Sequence, residues 1–402
     1  MAAGETKIAA ARDESPPPHW RAAAAGMAAL LLGIGLSRFG FTPLIPALIE
    51  AGWFGAGAAT ALGSTNLAGY LLGAAASRYL AEHAAPATLI RGAMIVGVVS
   101  FVACAAPLGF AWYFAWRLIS GIIGGILMVL APTTILPTIP AAWRARAAGL
   151  IFTGVGTGIA LSGTLIPWLV RFGLPTTWLV LAGAAAALTA FAWPEWRRAM
   201  RPLPHASATP LKKHAALSPA LLLFGIAYAF IGIGFVPHTV FWTDFIARGL
   251  GRGLGVGGFY WMLLGLGAMS GPLATGLLAE RIGFGAAYAW CLVAMTICVG
   301  LPLMATGPIA LAISSLGIGV VALGTVSLAS GRIGELAAPE NQRQVWGWIT
   351  IAYAVVYAGG GYAFSFVFAR TGSYDAIFAT GAAATLLATV FAFLSARPAT
   401  SA

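Results

Sequence analysis

The chain is 402 residues long, 60% hydrophobic and only 8% charged, with a formal net charge of +11 and a mean hydropathy of +0.89. Soluble domains average about a quarter charged residues, so the composition excludes a soluble domain of this length and points to a bilayer. The first 19 residues hold Lys7, Arg12, Asp13, Glu14 and the run Pro16, Pro17 and Pro18, and read as a short disordered tail. The apolar segment that follows is too long for the core of a cleaved signal peptide. From there to the end, apolar windows of about 20 residues recur, each long enough to cross roughly 30 Å of hydrocarbon. Twelve spans are predicted, at about 21–49, 57–80, 87–106, 109–136, 147–170, 175–193, 219–244, 256–279, 284–304, 307–331, 344–368 and 374–395.

Span 1 contains GIGLSRFGFTPLIP, residues 33–46, with Arg38 in its middle. If the hydrocarbon runs from about 24 to 46, Arg38 lies roughly 4–5 Å from the midpoint. Asn66 and Tyr70 fall one turn apart on span 2. Arg117, in the RLISGIIGG stretch of span 4, comes out at a depth like that of Arg38. A charge this deep costs roughly 2.5–3.5 kcal/mol on insertion scales, and no acid of the first half compensates, because Glu50 and Glu82 stand at span ends. Two readings stay open for each arginine. One is capture of a substrate anion, since a guanidinium fork matches a carboxylate in bidentate geometry. The other is capping of carbonyls in a helix broken by Pro43, Pro46 or Pro132, and for Arg117 this structural or coupling role is the favoured one.

After span 6, PEWRRAMRPLPHASATPLKKHAALSP is the longest polar interruption and divides the chain six plus six. In span 7, His238 is the only histidine within an apolar segment, and Asp244 follows six residues on. The pair is the candidate for proton coupling, and a hydrogen-bonded structural histidine is the alternative. In span 11, Trp346, Thr350, Tyr353 and Tyr357 share one face; most of this stripe reads as packing with satisfied hydroxyls, with one or two members facing a cavity. Cys104, Cys291 and Cys298 lie inside apolar segments without metal-ligand spacing and read as small buried hydrophobes. The 52 glycines cluster at helical spacing, as at Gly121, Gly124 and Gly125, at Gly154 and Gly158, and at Gly265 and Gly267, which lets helix backbones approach closely in lipid.

The halves echo each other in order. Gly40-Phe41-Thr42-Pro43 matches Gly234-Phe235-Val236-Pro237, and PAAWRARAAG after span 4 has its counterpart in LAAPENQRQVWG after span 10. With the N-terminal tail inside the cell, sixteen Lys and Arg residues fall in inside loops and tails and four outside, at Arg171, Arg248, Arg252 and Arg370. This bias predicts both termini in the cytoplasm and accounts for the basic balance without nucleic acid.

The strongest local motif is GLLAERIGFG, residues 276–285. It resembles the loop motif of the major facilitator superfamily, carried here by Gly276, Glu280, Arg281 and the turn glycine Gly283. The resemblance implies that Glu280 lies near the start of span 5, beside Arg144 and Arg146, and helps to lock one side shut. The matching stretch of the first half, GAAASRYLAEH, keeps Gly73 and Arg78 but has Ser77 in place of the acid, where it could cap a helix. Arg117 and Gly121 resemble the superfamily's span 4 motif. With SRFGFTPLIP and GIGFVPHTVFWTDFIARGLG, the chain looks most like the YbfB/YjiJ branch over residues 20–396.

The expectation is an all-α polytopic membrane protein, with twelve transmembrane helices in two six-helix bundles at 20–193 and 219–396. A tail at 1–19, a basic cytoplasmic linker at 194–218 and a tail at 397–402 complete it. The expected activity is secondary active transport of a small, anionic solute across the inner membrane by alternating access, by a monomer surrounded by lipid, with proton coupling as an option. Substrate contacts are expected at Arg38, Arg117, Asn66, Tyr70, Tyr353 and Tyr357. A polyspecific exporter is the alternative. A membrane-embedded enzyme would need converging acids or a nucleophile with its base, which the interior lacks; no cofactor or metal is expected.

Overall fold

A computed structural model describes residues 18–198, 218–338 and 341–396, and these form helices with no strand among them. Helices are what the composition dictates, because in hydrocarbon every backbone N–H and C=O must be satisfied within its own segment. We label them α1 (18–50, interrupted), α2 (Ala56–His83), α3 (Pro86–Cys104), α4 (Phe110–Ile135), α5 (Arg144–Leu169), α6 (Leu174–Arg198), α7 (Pro219–Gly249, interrupted), α8 (Gly253–Ile282), α9 (Phe284–Met304), α10 (Pro308–Leu336), α11 (Gln342–Thr371) and α12 (Tyr374–Ala396). Eleven of them are long and apolar enough to cross a membrane. The exception is α2, which has the length, at 28 residues, but is composed largely of Gly, Ala, Ser, Thr and Asn. The second expected span is therefore a helix without an apolar signature, and its hydroxyls are answered locally: Thr60, Thr65 and Ser77 bond back to carbonyls of the preceding turn. Ser77 sits mid-helix and caps nothing, contrary to expectation.

The stretch predicted as a linker from 194 is helical up to Arg198, at the end of α6, and the rest of the linker and both tails lie outside the described residues. Where the connection lies within the described residues, successive helices are joined by short segments. The connections at 51–55, 105–109, 171–173, 305–307 and 372–373 lie at one end of the molecule, here the Glu50 end, and those at 84–85, 136–143 and 283 lie at the other, the Arg144 end. Proline opens α3, α7 and α10, where its missing N–H costs nothing.

Two helices are broken at the echoed sequence. In α1 a π turn at Leu31–Leu36 gives way to a 3₁₀ turn at Phe39–Phe41 and then to Leu44–Glu50. In α7 π turns occupy Pro237–Phe241 and Phe245–Gly249. Gly40, Pro43 and Pro46 in α1 and Pro237 in α7 supply the missing donors and the freedom that such breaks require.

Glycine sets the crossings, and the same crossings recur in both halves of the chain. A Cβ on Gly69 of α2 would stand 3.0 Å from the Cα of Gly121 on α4, and one on Gly267 of α8 would stand 3.1 Å from the Cα of Gly319 on α10. Likewise Gly35 of α1 packs on Gly158 of α5, and Gly232 of α7 packs on the backbone of Tyr353 and Tyr357 in α11.

The first and second halves of the chain meet along a seam made by α2 with α11 and by α5 with α8. Gly57 meets Ala369, Gly361 meets Ser64, Gly156 meets Gly265 and Gly163 meets Gly258. Hydrogen bonds reinforce it from Tyr362 to Thr65 (2.9 Å), from Trp261 Nε1 to Ser162 (3.1 Å) and from Thr42 Oγ1 to the Thr239 carbonyl (2.6 Å). The Gly156–Gly265 contact lies at the middle of its helices, and the others lie toward the Glu50 end. Toward the Arg144 end a Cβ at Gly149, Gly276 or Gly347 would meet nothing within 4 Å. The seam is closed on the Glu50 side and open on the Arg144 side.

Candidate functional site

The break in α1 puts Arg38 at the seam, where the helix passes from its π turn to its 3₁₀ turn. The guanidinium carbon lies 4.8 Å from the ring centre of Phe39, 5.2 Å from that of Tyr70 on α2 and 5.0 Å from that of Tyr357 on α11. Its Nε is buried without a partner, and no carboxylate pairs with it among the described residues. Three ring faces from both halves of the chain therefore surround one uncompensated cation.

The site is closed on the Glu50 side by a short polar relay. The Tyr357 hydroxyl donates to Thr239 Oγ1 at 2.6 Å, which in turn donates to the Phe235 carbonyl at 2.7 Å. On the Arg144 side the aromatic row continues from Tyr357 to Tyr353 (5.4 Å between ring centres) and on to Tyr228 (5.3 Å). Tyr70 and Tyr353 are half-buried.

Arg117 is placed differently. It is 2% exposed, its Nη1 donates to the Ser37 carbonyl at 2.6 Å, and its guanidinium lies 4.1 Å from the centre of the Phe41 ring. That carbonyl belongs to the interrupted stretch of α1, so Arg117 caps the break, while its Nε and Nη2 remain buried and unpartnered. Asn66 belongs to the same brace: its Nδ2 donates to Ser120 Oγ at 2.8 Å and to the Arg117 carbonyl at 3.3 Å. The structure thus brings Arg38, Tyr70, Tyr353 and Tyr357 together at the seam, and gathers Arg117 and Asn66 behind them between α1, α2 and α4.

His238 and Asp244, read together from the sequence, take separate partners. His238 is fully buried, stacked on Trp242 at 4.4 Å and 2.8 Å from Ser314 Oγ. Ser314 donates its one proton to the Cys298 carbonyl at 2.7 Å, so it accepts from His238 Nε2–H, and Nδ1 is left bare and unpartnered. Asp244, also fully buried, receives both arms of Arg248, from Nε at 2.5 Å and Nη2 at 2.6 Å, and the Tyr374 hydroxyl at 2.7 Å.

In the loop motif, Gly283 has φ +82° and its N–H bonds the Ala279 carbonyl at 2.8 Å, which ends α8 and starts α9. Glu280 and Arg281 are exposed. The expected pairing of Glu280 with Arg144 or Arg146 is absent here: Arg144 Nε bonds the Ile139 carbonyl at 2.9 Å and Arg146 lies over Trp143 at 4.9 Å. The physical reason is the open seam at that end, which separates α5 from α8. Thr42 and Thr239, which close the site, escaped the sequence reading, although both lie within or beside the echoed GFTP and GFVP stretches.

Comparison with solved structures gives a D-xylose-proton symporter (14% identity, 93% of this chain and 97% of that one, TM-score 0.70). It also gives the nucleoside transporter NupG in a mutant form (13%, 93% and 98%, 0.70). A third is the peptide transporter POT in complex with sulfate (11%, 93% and 93%, 0.75). At these identities the likeness is one of fold. No curated protein matches. The family described as uncharacterised MFS-type transporter YbfB matches residues 30–393. That match takes in the broken helix, the seam and the loop motif, and the chain therefore belongs to this family of major facilitator transporters.

Proposed function

We propose that the protein moves a small organic anion across the inner membrane by alternating access, and that Arg38 is the charge that recognises it. The observation that carries this reading is an arginine at the seam between the halves, set on aromatic rings from both and lacking any carboxylate partner among the described residues. A cation at that depth is stabilised by a bound anion, and the guanidinium fork suits a carboxylate. Arg117 supports it by holding the Ser37 carbonyl beside it.

In this reading α2 crosses the membrane as a twelfth span, packed through its glycines. Residues 20–193 and 219–396 act as two six-helix bundles that rock about the site, with 194–218 and both termini on the cytoplasmic side. The Arg144 end is then the cytoplasmic one, and Glu280 meets Arg144 and Arg146 when the seam closes there. His238 and Asp244 are the buried titratable groups proposed for proton coupling, and the protein works as a monomer. The proteins whose structures it resembles are named for a sugar, a nucleoside and a peptide, so the fold leaves the solute class to the site.

The test is uptake into proteoliposomes of a panel of organic anions, neutral solutes and cationic dyes, with and without a pH gradient. Uptake of anions, stimulated by the gradient, is expected. Flux of cationic dyes without any anion would replace this reading with that of a polyspecific exporter.

A further inference from the structure

We infer that the anion recognised at Arg38 carries a flat aromatic ring, held between Tyr70 of α2 and Tyr353 of α11. This rests on the reading of Arg38 as the anion-binding charge and adds to it the body of the solute.

The register of the seam comes first. α2 and α11 run antiparallel, and their closing contacts pair Gly57 with Ala369 and Ser64 with Gly361. Continued toward the Arg144 end by one to two turns, that register brings Tyr70 opposite Tyr353, just past the last closing contact. Both side chains are half-buried, and both belong to the group around Arg38: Tyr70 through its ring face at 5.2 Å, Tyr353 through its packing on Tyr357 at 5.4 Å. The walls are thus aromatic, the charge at the closed end is positive, and the mouth is open toward the Arg144 end.

The chemistry of the walls selects among anions. A saturated carboxylate would satisfy Arg38 but gain only apolar burial from the tyrosines. A planar aromatic carboxylate adds offset or edge-to-face contact with rings on both sides. The hydroxyls of Tyr70 and Tyr353 can donate to the carboxylate of either kind of solute, which adds affinity but no preference for the ring. The neighbouring Tyr228, 5.3 Å from Tyr353, extends the aromatic surface for a ring with a longer substituent.

The experiment measures binding by calorimetry on the intact protein in nanodiscs, with carboxylates matched in charge and carbon skeleton: benzoate against cyclohexanecarboxylate, phenylacetate against cyclohexylacetate, cinnamate against 3-cyclohexylacrylate. The aromatic member of a pair is expected to bind about tenfold more tightly. Tyr353→Leu should reduce that preference to less than about twofold, and Tyr353→Phe should keep it. Should Tyr353→Leu not give a monodisperse protein, Tyr70→Leu makes the same test from the other wall. Equal binding of both members of every pair overturns the aromatic inference and leaves the anion reading standing. Binding of no carboxylate by the wild type overturns the anion reading itself.

Discussion

Arg38 and Arg117 look alike in the sequence, and Arg117 reaches the carbonyl of Ser37 next to Arg38, but their surroundings give them different work. Arg117 is fully enclosed and its best hydrogen bond goes to a backbone carbonyl that the broken helix cannot satisfy. Arg38 has ring faces and no carboxylate among the described residues. Arg38→Lys keeps the charge but loses the planar fork and its stacking on the rings, so a transported anion identified by the panel should show a half-saturation concentration raised at least about tenfold, with expression unchanged. Arg38→Ala should abolish transport. Wild-type rate and half-saturation in Arg38→Ala would make Arg38 a packing residue. That both charges stand inside helices, away from any acid of the first half, was legible in the sequence. What each one touches was not, because that depends on which way a few residues of non-α helix turn the side chain.

At the scale of the helix, the information lies in the small residues. The glycines expected to pack do so, and the crossing of Gly69 on Gly121 repeats as Gly267 on Gly319. Gly69→Val and Gly267→Val should therefore each destabilise the protein by about 1–3 kcal/mol, because the added side chain meets backbone that cannot yield. Melting temperature in detergent checks this, with Gly276→Ala, whose new methyl meets open space, as the control expected to match or exceed wild type. Equal stability of all three variants would mean that these crossings are looser than described. The same smallness hid α2 from a hydropathy reading: a helix that packs through Gly, Ser and Thr has little apolar surface to announce it. Rotational facing was equally hard to read in helices apolar nearly all round, and so His238 and Asp244 could be paired by spacing while their real partners, Ser314 for one and Arg248 with Tyr374 for the other, came from elsewhere.

For the whole molecule, the echoed GFTP and GFVP stretches mark the places where α1 and α7 break. The sequence could not say which side of the seam is closed, since that is a property of one state and not of the chain. Glu280 is exposed and in no ion pair among the described residues in this state. Glu280→Gln keeps its shape and removes its charge, so it should disfavour the opposite state, in which α5 and α8 meet at the Arg144 end, and enlarge the population seen here. Labelling of single cysteines at positions 149 and 276 should then rise relative to wild type, and an unchanged labelling pattern would leave Glu280 a solvated loop charge. That Arg38 has no carboxylate partner among the described residues has a further consequence, one of voltage. An empty carrier whose aqueous access switches from one side of Arg38 to the other moves a positive charge through part of the transmembrane field, which is worth about 2.3 kcal/mol per full charge per 100 mV. A carrier holding a monovalent anion there is electrically neutral at that point. On the proposed reading of Arg38 as the anion site, the membrane potential acts on the return of the unloaded protein and not on the loaded step, and a transient current in the absence of solute, suppressed by saturating solute, is the expected electrical signature.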